Sequence, residues 1–426
     1  GVTHALRTIE YRDRNPQYEW FLKSLKLRHV HIWDYSRMNF VYTLLSKRKL
    51  TWFVGEGLVT GWDDPRFPTI RGIRRRGLTI DALRQYILMQ GASQRNIDLE
   101  WDKLWAVNKR VIDPVSPRHT ALTKENIVKV IVSDSDFKPE VKQLPKHKKN
   151  AEVGLKDTVF NKVFFIEHED ALLIKDNEEV TFMDWGNAIV EKIVKSEDGK
   201  KVTEITVKLN LNGDFKTTEK KLTWISEAIE GDETSPVDAV LLDYDYLINK
   251  PKLLDGDEVK DYLTPTTEFI TDAIVDSNLR KAKKGDIIQL ERKGYFIIDK
   301  AFGEEASVVK TNGDASKHED KDLKKVYLIH IPDGKMASVQ SKADTKKDNE
   351  ADKKATKKGK KEAKESKSKP ESKAGSMYES ESIQPELNFD ANKIGGNMYA
   401  SEPIYSKEEL GGAKSESKKN NNENTP

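Results

Sequence analysis

The hydrophobic period of this chain changes once, near Asp113-Pro114, and that switch limits what the chain can fold into. Upstream, "PQYEWFLKSLKL" sets Tyr18, Phe21, Leu22, Leu25 and Leu27 near helical spacing behind Pro16. "TIDALRQYILMQGAS" and "NIDLEWDKLWAVNKRVI" repeat the helical pattern. From about residue 115 to 333 the period is two, in "ENIVKVIVSD", "KVFFIEHEDALLI", "EVTFMDWGNAIVEKIV", "KVTEITVKLNL", "TEKKLTWIS", "AVLLDYDYLI", "DIIQLERKGYFIID" and "KVYLIHI". "EDGK" (197–200) and "NLNGD" (210–214) supply the positive φ of tight turns and predict hairpins. Many strands at short intervals predict one or two mainly antiparallel β-barrels.

Residues 1–50 follow a third pattern. A strand over 1–10, the helix behind Pro16 and a second strand "VHIWDY" (30–35) predict a parallel α/β unit. Ligands of such units sit beyond the carboxyl ends of the strands, where "SRMN" and "SKRKL" lie. A chain that opens "GVTHALRTIEY", without Met and already strand-like, reads as the middle of a domain. Between the helical segments, "GWDDPRFPTIRGIRRRG" is a loop fixed by Pro65 and Pro68 and loaded with arginine. From Met336 the Lys-rich composition cannot offset the entropy of ordering and predicts disorder through 426. Within it lies a faint repeat, "MYESESI" and "MYASEPI", readable as a linear binding motif or as a tolerated feature of a tail.

Composition narrows the chemistry. With 426 residues and no cysteine, the chain has neither disulfides nor thiolate metal sites, which suits the cytosol. No apolar run reaches the length of a membrane span. The net charge is only +2 although 34% of residues are charged, so a basic surface must come from clustering. "TLLSKRKLTWF" (43–53) is such a cluster: three adjacent cations between apolar runs. They repel one another and need an anion or water. Beside an α/β cleft they suit a triphosphate; alone, "SKRK" is equally a solvated patch or a localisation signal. His29 and His31 alternate on one strand without a third ligand nearby, so no metal site is expected.

Taken together, "GVTHALRTIEY", "YSRMN", "LLSKRKL", "GWDDPRFPTIRGIRRRG", "EWDKLWAVNKRVIDP", "QLERKGYFIID" and "LIHIPDGK" closely resemble the eukaryotic and archaeal (cytosolic) glutamyl-tRNA synthetases. These are class I aminoacyl-tRNA synthetases, sisters of the glutaminyl enzymes. The resemblance implies the carboxyl-terminal part of a Rossmann-like nucleotide-binding fold over 1–50 and a helical acceptor-stem region over 51–114. It further implies β-barrels that bind the anticodon over 115–335, followed by the tail at 336–426. The His-Ile-Gly-His half of the class I site is absent from the sequence, so the chain alone is expected to be inactive.

The resemblance also implies roles. Leu44 to Arg48 stand in the place of the Lys-Met-Ser-Lys-Ser loop, departing from it at both ends. Lys47 and Ser46 would carry catalysis, holding the ATP phosphates with Leu45, Arg48 and Lys49. Arg37 and Met38 would line the adenosine pocket, and Thr8 and Glu10 would border ATP, which comes with Mg2+ as substrate. Arg7 would select glutamate, because a guanidinium fork pairs with a carboxylate; the alternative is a strand-end salt bridge. Asp13, Arg66 and Arg71 would meet the acceptor stem, and Gln289 and Arg292 the anticodon of tRNA-Glu. "ERKGYF" could equally be a strand pair with surface charge. Other synthetases or scaffold proteins are implied as partners and the cytoplasm as location. The rival readings are a tRNA-binding module without ligase activity and a glutaminyl enzyme.

Overall fold

A computed structural model describes residues 1–125, 127–229, 231–304 and 323–335. The tail expected to be disordered lies outside the described residues. The chain opens with β1 (His4–Thr8), a 3-10 turn over Ile9–Arg14, α1 (Asn15–Ser24) and β2 (His31–Tyr35). β1 and β2 pair in parallel, with Arg7 opposite Asp34. Next come β3 (Met38–Phe40), α2 (Lys47–Gly55), α3 (Ile70–Arg75), α4 (Ile80–Gln90), β4 (Ile97–Leu99) and α5 (Trp101–Ile112). β3 and β4 pair in parallel. The first helix after the second strand therefore starts at Lys47 and includes the basic run, which was expected to be loop.

The described residues between 118 and 335 are mostly strands. They run β5 (Arg118–His119), β6 (Ala121–Thr123), β7 (Val128–Val132), β8 (Glu140–Pro145), β9 (Leu155–Phe160) and β10 (Val163–Ile166). After α6 (His168–Ala171) follow β11 (Glu179–Phe182), β12 (Gly186–Lys195), β13 (Val202–Asn210), β14 (Lys221–Leu222) and β15 (Trp224–Ser226). The last are β16 (Val237–Tyr244), β17 (Glu268–Val275), β18 (Ile287–Leu290), β19 (Gly294–Lys300) and β20 (Lys325–Ile331).

Two sheets hold most of these strands, in the orders β14-β11-β12-β13-β7-β10-β15 and β5-β18-β19-β20-β16-β17-β6. In the first, the edge strands β14 and β15 are separated in the chain by Thr223 alone. In the second, the edges β5 and β6 are separated by Thr120 alone. Neighbouring Cα atoms are about 3.8 Å apart, so opposite edges of each sheet are forced together. Each sheet curls toward a barrel and leaves no long open edge. Pairing is mainly antiparallel, but β7–β13, β11–β14, β16–β20 and β5–β18 are parallel.

Several expectations need correcting. "NLNGD" is not a hairpin, because the chain leaves β13 at Asn210 and crosses to pair β14 with β11. Gly213 sits close to side chains there: a Cβ would lie 2.5 Å from Glu179 Oε1, which would have to shift. "EDGK" does join β12 to β13, with Gly199 at φ +68°. "KVFFIEHEDALLI" stops being a strand at Ile166, since Glu169 and Asp170 favour the first turn of α6. "TEFITDAIV", missed as a strand, is β17; Glu268 and Ile270 are exposed on it and blur the alternation.

The second sheet is covered on both faces. Phe296 and Ile298 of β19 point to the barrel core with Val326 and Leu328. Tyr295 and Ile297 point the other way, onto Leu104, Trp105 and Ile112 of α5 and Tyr86 of α4. That alternation fixes the helical layer to the outside of the barrel. Asn108, fully buried on α5, locks the joint: its Oδ1 accepts from the Thr79 backbone N–H at 2.9 Å, and its Nδ2 donates to the Gly77 carbonyl at 3.0 Å.

Candidate functional site

At the carboxyl end of β1 and β2, Arg7 Nε donates to Asp34 Oδ1 at 3.0 Å. Asp34 is buried, and Arg12 stands 4.0 Å from its other oxygen. Arg7 Nη2 is buried with no partner, so the fork keeps an unused donor. Beside it, Glu10 pairs with Arg37 at 2.8 Å. A hydrogen bond from Thr8, helped by the Arg37 charge, holds the Glu10 carboxyl below its ordinary value. Arg7, Thr8, Glu10 and Arg37 are thus brought together as two ion pairs at the end where parallel strands present ligands.

Met38 is placed differently. It lies on β3 with its side chain packed on the core beneath α4 and α5. Leu45 and Ser46 are exposed just before α2, and Ser46 makes no capping hydrogen bond. Lys47, Arg48 and Lys49 fill the first turn of α2, which contains no acidic residue. Among the described residues none of the three cations makes an ion pair. Cations there oppose the positive end of the helix dipole, and the first N–H groups are unsatisfied, so an anion is the natural partner. No hydrogen bond or ion pair among the described residues joins this turn to the Arg7 or Glu10 groups.

The turn is held from far away in sequence. Leu50 and Phe53 of α2 are buried against Phe67 and Ile248. Tyr42 stacks on Tyr246 with centroids 5.2 Å apart, and its N–H donates to the Pro251 carbonyl at 2.9 Å. The connection between β16 and β17 therefore supports the basic helix.

The arginine-rich segment, expected to be loop, turns into α3 behind the Thr69 cap, and its arginines separate into two groups. Arg66 is internal, with its side chain 7% exposed. It donates to Asp64 Oδ1 at 2.8 Å, to Asp64 Oδ2 at 2.7 Å and to Thr267 Oγ1 at 2.7 Å. Every arm of the Arg66 fork, expected to face the acceptor stem, is used inside the protein. Arg75 is likewise spent on Asp299, at 2.7 and 2.8 Å. Arg71 and Arg74 are exposed and line an open groove of about 640 Å³ that Lys284 borders across from them. Asp13 is exposed on the Ile9–Arg14 turn.

Gln289 lies on β18, its Oε1 buried without a partner. Arg292 occupies the β18–β19 turn at φ +65°, and both its terminal nitrogens reach Asp170, Nη2 at 2.8 Å. Asp170 was missed in the sequence reading, although the acids of "EHED" interrupting a strand pattern were a signal. His31 packs edge-on to His4 at 5.4 Å. Among the described residues no group of three His, Cys, Asp or Glu could hold a metal ion, and no helix could cross a membrane.

Residues 1–114 match the catalytic domain of class I (E and Q) tRNA synthetases. Residues 116–212 and 221–299 match two anticodon-binding domains of the same synthetases. The chain belongs to the class I tRNA synthetases of the E and Q family. It is 51% identical over 335 residues to a protein named probable cytoplasmic glutamate–tRNA ligase in Schizosaccharomyces pombe, covering 79% of this chain and 43% of that protein. Identity to the cytoplasmic glutamate–tRNA ligase of Saccharomyces cerevisiae is 50%, with the same coverage. For that of Arabidopsis thaliana it is 51% over 337 residues, covering 79% of this chain and 44% of the relative. The chain thus spans less than half the length of these synthetases. The two curled sheets coincide broadly with the anticodon-binding matches, though β5 and β6, inside the first match, belong to the second sheet.

Proposed function

We propose that this chain is the carboxyl-terminal portion of a cytoplasmic glutamate–tRNA ligase. Residues 1–50 close its Rossmann-like nucleotide-binding fold, residues 51–114 meet the acceptor stem, and residues 115–335 bind the anticodon of tRNA-Glu. Lys47 and Ser46, with Leu45, Arg48 and Lys49, hold the triphosphate of Mg2+-bound ATP as glutamate displaces pyrophosphate. Charge stabilisation at the leaving group, not a covalent nucleophile, drives that step. Thr8, Glu10 and Arg37 border the nucleotide. Met38, turned to the core, can contribute only its backbone. Arg71 and Arg74 follow RNA phosphates along their groove, and the exposed Asp13 meets the acceptor stem; Arg66 is left out.

The observation that carries the choice of glutamate is Arg7. Its Nε is anchored on Asp34 while its buried Nη2 is unused. A side-chain carboxylate meets that donor with a charge-assisted hydrogen bond, whereas a carboxamide offers one neutral acceptor beside an NH2 group that cannot accept. The test is ATP–pyrophosphate exchange by the full-length protein with glutamate or glutamine, beside tRNA binding by this chain. Exchange driven by glutamate and not glutamine is expected, with this chain alone at background yet binding tRNA-Glu in a salt-dependent manner. Exchange driven equally by glutamine overturns the role of Arg7, and a full-length protein that binds tRNA without any exchange is a binding module.

A further inference from the structure

We infer that Asp170 is an affinity-setting positioning residue: it occupies the Arg292 fork in the free protein and must be displaced by an RNA base bearing two adjacent acceptors. This rests on the anticodon reading of Arg292.

The turn Glu291-Arg292-Lys293 joins strands of the second sheet, whereas Asp170 lies in the short helix α6, which follows β10 of the first, and Glu167 is its N-cap residue. Arg292 is bound by Asp170 through both terminal nitrogens. Lys293 Nζ reaches Glu167 at 2.6 Å and Thr123 Oγ1 at 3.2 Å. Glu167 is itself pinned by the Thr123 N–H at 2.9 Å, and the His168 ring accepts from the Val202 N–H at 3.2 Å. The acids are therefore held in place by the fold and are not strays on a loop.

The asymmetry of burial decides the reading. Asp170 is 9% exposed in its side chain, while Arg292 is 46% exposed. The carboxylate is a fixed wall and the guanidinium can swing outward. The surrounding cleft of about 420 Å³ is lined by Glu125, Glu167, Glu169, Asp170 and Glu291 against Arg292 and Lys293. With five carboxylates facing two cations, it repels a bare phosphate. Only a neutral edge that matches the fork can replace Asp170. Guanine O6/N7 and cytosine O2/N3 do this, and a lone acceptor does not. The cost of opening the Asp170 pair is subtracted from the affinity of every base that takes over the fork, so Asp170 acts as an internal competitor.

The test uses the full chain and its Asp170→Asn variant against anticodon stem-loop RNAs whose three anticodon bases are varied singly. The variant leaves the fork one good acceptor, so loops whose base matches the fork should bind about tenfold tighter, and mismatched loops, which do not open the pair, should change less. Adding Arg292→Ala to Asp170→Asn should erase the gain, a coupling that a merely structural clasp would not give. If the wild-type chain binds the loops and Asp170→Asn binds them equally or more weakly, the inference is overturned while the anticodon reading stands. If neither chain binds any loop, both readings fall.

Discussion

Replacing Asp64 by Asn tests how the basic helix is supported. Asp64 is fully buried and accepts five hydrogen bonds. They come from the Thr60 N–H at 2.8 Å, the Thr60 hydroxyl at 3.1 Å, the Arg66 N–H at 2.9 Å, Arg66 Nε at 2.8 Å and Arg66 Nη2 at 2.7 Å. The substitution presents an amide donor to some of these donors and leaves the Arg66 guanidinium as a buried unpaired cation. Breaking one side of such a pair costs about 3–5 kcal/mol. The damage is local to the seat of α2, because the Phe67 N–H donates to the Asp64 carbonyl at 2.9 Å and Phe67 packs edge-on to Phe53 of α2.

The assay is urea unfolding followed by far-ultraviolet circular dichroism, which reports the helices. Asp64→Leu combined with Arg66→Met removes both charges and should recover most of the loss, since the pair is expensive to desolvate. The pH dependence has a definite sign. Burial raises the Asp64 carboxyl, but the Arg66 hydrogen bonds and charge, with the Thr60 N–H, hold it below its ordinary value of 3.8. A depressed folded-state pKa means that its stabilisation is complete above the unfolded value and is lost as pH falls through the folded one. The difference between wild type and Asp64→Asn should therefore hold from about pH 8 to about pH 5 and shrink only below about pH 4. A loss under about 1 kcal/mol near neutrality, or no recovery in the double variant, would refute the reasoning.

In the full-length protein, Lys47→Ala should slow pyrophosphate exchange about a hundredfold to a thousandfold with tRNA affinity intact; loss of tRNA binding alone would make the run an RNA-facing patch. Arg7→Gln should raise the glutamate KM far more than the ATP KM, and equal effects on both would reduce Arg7 to a strand-end salt bridge. Gly77→Ala should lower thermal stability by about 1–3 kcal/mol, because φ is +95° and the new Cβ would lie 2.4 Å from Ile331 Cδ1. An unchanged melting temperature would mean the α3–α4 turn yields easily.

What the sequence made legible was what local pattern encodes. The switch of period at Pro114 and the "EDGK" hairpin are local, and both are seen in the fold. Barrel closure was not legible, because the strands that close the sheets, β5 and β14, are two residues long and carry no period. Parallel pairing such as β7 with β13 leaves no mark on alternation. The arginine string was visible, but not that Arg66 and Arg75 are consumed internally while Arg71 and Arg74 face outward. Asp299, the partner of Arg75, and Thr267, which completes the Asp64 pairing of Arg66, lie roughly two hundred residues on. Asp170 escaped for the same reason, being 122 residues from Arg292.

The same separation bears on how the charges act. A nine-residue helix with three cations in its first turn would not persist alone. Its order comes from burying Leu50 and Phe53, each burial contributing about 1.5–3 kcal/mol, and the surface they bury against includes Ile248 of the second barrel's β16–β17 connection. Arg292 is in the same position one step further on, its fork set by α6 of the first barrel. The α2 cations and Arg292 are thus each held by an element of another part of the chain. Either cluster excised from that support would keep its charge and lose its geometry, and for recognition by a planar fork or a helix terminus the geometry is what selects.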